Sequence, residues 1–352
     1  MAMSMQHRLK NFYRSQRLRP VIFVVIFASI GGAVILATQA ATPTARLEPE
    51  QGTLTAPATI ATDVAASGGQ AVKFGSIASS GWKPLPTKPA GWAWQWQLTG
   101  TVNETVLDAS SNPNKMYDID MFNATPALIS RLKAKGIYVV CYVESGDYVG
   151  DRPDAGDFAP AMLSTNKLDG FNEYYIKVSS LDSPTGPTGK TLRQIMTARL
   201  QTAKDKGCEG IEPDLDDLHT YPTQPFTITQ AQQVAYNTFL IQTGHSMGMS
   251  VGLKNGPDGT GAGSFTTQMF NAGADWALSE ECNQYDECDG YNIFVQGGRA
   301  VFQVEYLDNQ GTPYSGANGT CARNIAAGFD GIVKDSSSSL SALPRTPCRS
   351  GN

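Results

Sequence analysis

The chain has 352 residues, 41% hydrophobic and 17% charged, with a formal net charge of −5, enough for one large domain plus appendages. Five of its 27 basic residues (Arg8, Lys10, Arg14, Arg17 and Arg19) precede residue 20 with no acid among them, so the remainder sets 22 basic residues against 32 acidic ones. An acidic body argues against a nucleic-acid partner and for a neutral or cationic one.

The basic head leads into an uncharged run from Pro20 to Ala45, with an apolar core over Val21–Ile30 and Ala33–Ala37 and small residues at Thr38–Ala40. This is the order of an export signal, and the core approaches the ~20 residues that span a bilayer. Residues 1–41 are therefore predicted to be a signal peptide or an N-terminal membrane anchor. Either way the body is extracellular or held at the cell surface, and contact with membrane is through this segment if it stays uncleaved. Residues 42–90, rich in Ala, Thr, Pro, Gly and Ser, read as a linker. Within it, Asp63–Phe74 resembles the tail of a jelly-roll carbohydrate-binding module, too short to form more than a hairpin.

From residue 91 to 352 the pattern changes. Short apolar runs recur at Ala93–Leu98, Met116–Met121, Ile137–Val143, Gly210–Asp214, Ser250–Lys254, Trp276–Glu280, Ala300–Glu305 and Gly331–Val333. Amphipathic segments lie between them, with Leu128, Ile129 and Leu132 in Thr125–Ala134, Leu192, Ile195, Met196 and Leu200 in Thr191–Lys206, and Val234, Phe239, Leu240 and Ile241 in Thr229–Met247. Lys135-Gly136 and Lys206-Gly207 read as helix C-caps. Eight strand–helix alternations predict an α/β fold, a (β/α)8 TIM barrel. An open doubly wound sheet would bring a Gly-rich phosphate loop after its first strand, and none is present.

All six cysteines follow the export segment, in an oxidising setting. Cys282 and Cys288 frame a short loop and are predicted to pair, while Cys141, Cys208, Cys321 and Cys348 leave their pairing open. No Cys-x-x-Cys or His-x-x-His spacing offers a zinc site. Neither cofactor nor metal is predicted.

Each strand ends in polar residues, on the face where barrels hold their active sites. The candidates are Trp94, Trp96 and Gln97 on the first strand, Asp118 and Asp120 on the second, Tyr142 on the third, and Asp214 with the nearby Asp217 on the fourth. Lys254 and Asn255 follow on the fifth, Glu280 on the sixth with Tyr285 beyond it, and Glu305 and Tyr306 on the seventh. Hydrolysis of a glycosidic bond needs two carboxyls flanking the sugar, one protonated and one ionised. Asp214 is the strongest single candidate, because period-two alternation puts Gly210, Glu212 and Asp214 on one strand face. Asp216 and Asp217 also fit a helix N-terminal acid cluster, and a divalent metal on the cluster is the alternative. Lys254 is placed to hold Asp214 ionised. Trp94, Trp96, Tyr142, Tyr285 and Tyr306 suit stacking on sugar faces. Asp118, Asp120, Asp217 and Glu305 suit hydroxyl or amine contacts.

Glu212–Asp217, Gly252–Asn255, Glu280–Cys288 and Val304–Tyr306, together with Trp94–Gly100 and Tyr117–Phe122, resemble the signature segments of the endo-α-1,4-polygalactosaminidases, glycoside hydrolase family 114. The resemblance runs from about Trp92 to Asp335. It implies a metal-free barrel that hydrolyses α-1,4-linked galactosamine or N-acetylgalactosamine chains, with Asp214 on the nucleophile position and Glu280 on the acid/base position. The family pattern has amides flanking the strand-six Glu, whereas Ser279 and Glu281 stand here, so Glu281 is the alternative acid. The reading is a monomeric, retaining endo-glycosidase acting on a polysaccharide. The alternatives are a barrel glycosidase for another α-linked glycan and a non-catalytic glycan-binding barrel.

Overall fold

A computed structural model describes residues 58–62, 70–74, 91–168, 171–221, 226–307, 319–335 and 340–352. The predicted signal or anchor, residues 1–41, lies outside the described residues. The chain divides into two units, Met1–Ser76 and Ile77–Asn352. In the first, β1 (Ala58–Thr62) and β2 (Gln70–Phe74) pair antiparallel, with Ile60 opposite Val72. β2 is the end of the stretch that resembles a carbohydrate-binding module.

The second unit opens with β3 (Ala93–Gln97), β4 (Lys115–Asp120), α1 (Pro126–Ala134) and β5 (Ile137–Glu144), followed by β6 (Asp147–Val149), β7 (Leu163–Lys167) and β8 (Glu173–Ile176). It continues through α2 (Leu192–Lys206), β9 (Gly210–Asp214), α3 (Gln230–Ser246), β10 (Ser250–Lys254), α4 (Phe265–Ala272) and β11 (Trp276–Glu280). It ends with α5 (Asn292–Gln296), β12 (Val301–Leu307), α6 (Thr320–Ala327), β13 (Asp330–Asp335) and β14 (Thr346–Pro347). Strands β3, β4, β5, β9, β10, β11, β12 and β13 pair parallel in that order, and β14 adds antiparallel to β13. Side chains close the barrel between its first and last strands. Trp94 Nε1 donates to the Asp330 carbonyl (2.7 Å), and Lys334 Nζ to Gln95 Oε1 (3.2 Å).

Strand alternation divides the apolar residues into two cores. Trp94, Trp96, Met116, Val140, Trp276, Leu278, Phe302, Val304 and Ile332 fill the barrel interior. Tyr117, Ile119, Val139, Cys141, Ile211, Val251, Ala277 and Val301 face the helices with Leu128, Ile195, Leu200 and Leu240. The interior accepts a tryptophan on β11 because its neighbour on β10 is Gly252, where a Cβ would stand 2.5 Å from the Trp276 indole. The helices begin where a threonine caps them. Thr125 accepts from Leu128 N, and Thr191 and Thr229 form reciprocal capping boxes with Gln194 and Gln232. Gly207 closes α2 in the left-handed region, at φ 101°.

The barrel departs from eight regular strand–helix repeats. Among the described residues six α-helices follow the strands, and residues 98–114 join β3 to β4 through turns instead. That stretch is rich in Asn, Thr and Ser, which favour turns over helix interiors. The excursion β6–β8–β7 is a three-stranded antiparallel sheet between β5 and α2. Three disulfides pin the unit: Cys141–Cys208, Cys282–Cys288 and Cys321–Cys348.

Candidate active site

Inward side chains of β3, β9 and β11 converge on the ammonium of Lys254 at the end of β10. Lys254 Nζ lies 2.9 Å from Asp214 Oδ1, 2.9 Å from Glu212 Oε1 and 3.2 Å from Glu280 Oε2, and 4.6 Å above the Trp96 ring. Burial opposes the charge on Lys254, yet Asp214, Glu212 and Glu280 outweigh it and hold its pKa well above the ordinary lysine value. Asp214 Oδ2 accepts from the Tyr142 hydroxyl at 2.9 Å. Asp214 therefore has a donor on each of its oxygens. Glu280 accepts from the Tyr306 hydroxyl on Oε1 (2.5 Å) and from Asn255 Nδ2 on Oε2 (3.2 Å), and its backbone N–H donates to Asn255 Oδ1 (2.8 Å).

Both carboxylates touch the same nitrogen, so their nearest oxygens are at most about 6 Å apart. Their side chains are 21% and 27% exposed, whereas Glu212 and Lys254 are sealed at 0% and 3%. The pair is what a ligand in the mouth meets first. The turns beneath it are tight. Leu215, Asn255 and Glu281, each the first residue after its strand, have φ of 50°, 52° and 58°. A side chain in this left-handed region costs about 1–2 kcal/mol, an expense the fold accepts beside each of these strand ends.

Two neighbouring acids stand at the end of β11. Glu280 shares the inner face with Trp276 and Leu278 by alternation, while Glu281 follows the strand with a positive φ. Burial, then the charge of Glu280, raises the Glu281 carboxyl above its ordinary value.

Other sequence candidates fall elsewhere. Trp94 and Trp96 are both 1% exposed, so they are packed core and floor rather than stacking platforms; the Trp96 indole donates to Glu212 Oε2 at 2.9 Å. Gln97 bonds its own connection, donating to the carbonyls of Thr99 and Thr101 and accepting from Asn103 N. Its place on β3 opposite to Trp96 explains this. Glu305 lies outside the barrel wall for the same reason: it alternates with the inward Val304 and Tyr306, is fully buried, and accepts from Asn283 N and Gln303 Nε2. Burial pushes its pKa to about 7. Asp118 is inward but sealed beneath the floor against Glu212. Asp120 is tied to Arg152 at 2.6 Å. Asp217 is buried, with its pKa raised to about 7 by burial and then by the charge of Asp214. Tyr285 is 62% exposed on the loop after β11.

The structure adds acids around the mouth that the sequence reading did not single out. Glu144 ends β5 and pairs with Arg152, which also bonds Asp120. Asp147 on β6 and Glu173 on β8 share one face of the excursion. Burial, and next the charge of Asp214, raises both of their carboxyls. The visible signal for Glu144 was its place at a strand end. Asp147 and Glu173 had none, since their strands are three and four residues long. Among the described residues no group of three or more His, Cys, Asp or Glu side chains has metal-binding geometry.

The sequence profile of the glycoside-hydrolase family GH114 matches residues 74–347. The chain belongs to this family. As a GH114 glycoside hydrolase it is similar to Ega3 of Aspergillus fumigatus, whose crystal structure is a complex with galactosamine. The identity is 30% and the TM-score 0.61, covering 77% of this chain and 99% of that one. The barrel is also similar to a variant of the glycoside hydrolase domain of PelA from Pseudomonas aeruginosa, at 14% identity and a TM-score of 0.50. That match covers 72% of this chain and 96% of that one, and it speaks for the fold alone. No curated protein sequence matches this GH114 chain.

Proposed function

We propose that this GH114 barrel is a retaining endo-glycosidase that cleaves α-1,4-linked galactosamine or N-acetylgalactosamine polymers outside the cell. In this reading Asp214 attacks the anomeric carbon. Glu280 delivers a proton to the leaving oxygen and later takes one from the water that releases the product. The observation that carries it is the shared ammonium of Lys254. Nearest oxygens at most about 6 Å apart are compatible with direct attack, whose carboxyls stand roughly 5–5.5 Å apart.

The remaining roles follow from the geometry. Tyr142 and Lys254 hold Asp214 by its two oxygens, leaving its outer lone pairs toward the mouth. Asn255 and Tyr306 fix the rotamer of Glu280, whose greater exposure lets it exchange protons with solvent. The half-buried Glu173, electrostatically linked to Asp214, adds to the Asp214–Glu280 pair an acid suited to a sugar that carries an ammonium. The likeness to Ega3, which binds galactosamine in its crystal, supports the same sugar class. Exposed Tyr285 is the aromatic ring available for stacking at the rim. Three disulfides accord with an oxidising compartment.

The test is product analysis on a galactosamine polymer and, in parallel, an α-glucan. Cleavage of the first into oligomers whose new reducing ends are initially α by NMR supports the reading. β-anomers would replace retention by inversion, and cleavage of the glucan alone would overturn the substrate class.

A further inference from the structure

One carboxyl beneath the site has no role in the proposed reaction. Asp118 points inward from β4, level with Trp96 on β3 and Val140 on β5, and is fully buried. Among the described residues no donor reaches either of its oxygens. Its side-chain partner is Glu212, another carboxyl. Two carboxylates cannot hydrogen-bond to each other, so the contact closes only if one of them holds a proton. Glu212 already accepts from Trp96 Nε1 at 2.9 Å and meets the Lys254 ammonium at 2.9 Å. Both contacts call for charge on Glu212, which leaves the proton on Asp118.

We propose that Asp118 is an un-ionised acid that donates its proton in a hydrogen bond to Glu212, and so positions Lys254 between Asp214 and Glu280. It is a positioning residue, and its role rests on the reading of Asp214 and Glu280 as the reacting pair. Trp96, Lys254 and Asp118 then complete the shell of Glu212. With Asp118 neutral, the sealed floor holds one carboxylate and one ammonium, in balance. Desolvation and the charge of Glu212 both push the Asp118 carboxyl well above the usual range, and Lys254 acts against them. An ionised Asp118 would instead be a second anion without a donor in the barrel interior, where an unpaired charge is heavily penalised. Trp96 contributes in two ways: its indole N–H fixes one oxygen of Glu212 while its ring lies under the Lys254 ammonium.

Two substitutions and a spectroscopic measurement test this. Infrared difference spectra between the wild type and Asp118→Asn at pH 7–8 should show the C=O stretch of an un-ionised carboxylic acid in the wild type only. A carboxylate band in its place would overturn the proposal. Asp118→Asn keeps a donor for Glu212 and should hold kcat within about threefold. Asp118→Ala should lower kcat about tenfold or more, the order of one lost buried hydrogen bond, with KM within about twofold. If Asp118→Asn fails as badly as Asp118→Ala, the charge of Asp118 is being used and the proposal is wrong. A loss confined to KM would make Asp118 a substrate contact and overturn it too. Should Asp118→Ala not fold, the amide variant and the infrared band still decide. The band does not depend on substrate or on the identity of the reacting pair. A missing band therefore fails this proposal alone, while full activity of Asp214→Asn would fail the catalytic reading and leave the band in place.

Discussion

Asp214 and Glu280 are bound to one ammonium but are held by different partners, so each can be removed without dismantling the other. Asp214→Asn and Glu280→Gln are isosteric, and both side chains lie at the open mouth. Each is expected to lower kcat by at least ~10²-fold with an unchanged far-UV circular dichroism spectrum, while Glu281→Gln costs much less. Activity surviving in both of the first two variants would move the chemistry elsewhere. Asp217 offers a pH test. Its folded pKa is about 7, against about 3.9 in an unfolded chain. Between those values the folded state keeps a proton that the unfolded state has lost, so stability falls as pH rises through the window. Asp217→Asn removes that penalty. Its melting temperature should equal the wild type's near pH 4 and exceed it by several degrees at pH 8, as read by calorimetry; an equal gap at both pH values would refute the shift. Much of this site was legible before the fold. Asp214, Lys254, Asn255, Glu280, Tyr142 and Tyr306 were visible as polar strand ends, and they do meet. Gln97 and Glu305 carried the same signal but face outward. A strand end marks the height of a residue in the barrel, while its face depends on a register that polar residues alone do not declare. Glu305→Gln, which keeps an acceptor for Asn283 N, should accordingly leave kcat and KM unchanged.

Among the elements, the barrel strands were plain in the sequence because each buries an apolar inner face and ends abruptly in charge. The helices within Thr125–Ala134, Thr191–Lys206 and Thr229–Met247 were plain from the spacing of their apolar residues, the first two also from their Lys-Gly endings. The excursion β6–β8–β7 was hidden: its strands are short, and Leu163–Lys167 is largely polar and exposed. Residues 98–114 were hidden for the opposite reason: regular repetition predicts a helix there, which their Asn, Thr and Ser content contradicts. The disulfides divide between stability and the site. Cys141–Cys208 ties β5 to the turn before β9 and closes a separation of 67 residues, whereas Cys282–Cys288 closes one of six. The chain-entropy account gives the first about 4 kcal/mol and the second about 2 kcal/mol. Replacing both cysteines of the long loop by Ser should therefore lower the melting temperature more than replacing both of the short one. The short loop begins two residues after Glu280 and carries Tyr285, so its loss should instead raise KM. Equal thermal shifts with unchanged KM would contradict this division.

At the scale of the whole chain, the candidate site and the C-terminal residues belong to one unit. Every candidate group lies between Trp94 and Tyr306, within the unit that begins at Ile77. The C-terminal residues are built into the barrel where its first and last strands meet. Leu98 N donates to the Leu340 carbonyl (3.0 Å), Arg345 Nε to the Trp94 carbonyl (2.8 Å) and Asn352 Nδ2 to the Trp92 carbonyl (2.8 Å). β14 pairs with β13, and Cys348 is bonded to Cys321 on α6. These contacts complete the backbone partners of β3 on the side where no ladder to β13 supplies them, and an unmet buried carbonyl costs about 1–3 kcal/mol. Two truncations should therefore behave oppositely. A chain that starts at Ile77 should keep its melting temperature and hold kcat/KM on the galactosamine polymer within about twofold, because no group of the site or the barrel seam is removed. A chain that stops at residue 339 loses the seam contacts, β14 and one disulfide together, and should show no cooperative unfolding transition by calorimetry and no activity. A cooperative, active protein from the second truncation would mean that β3 and β13 close the barrel without the C-terminal segment.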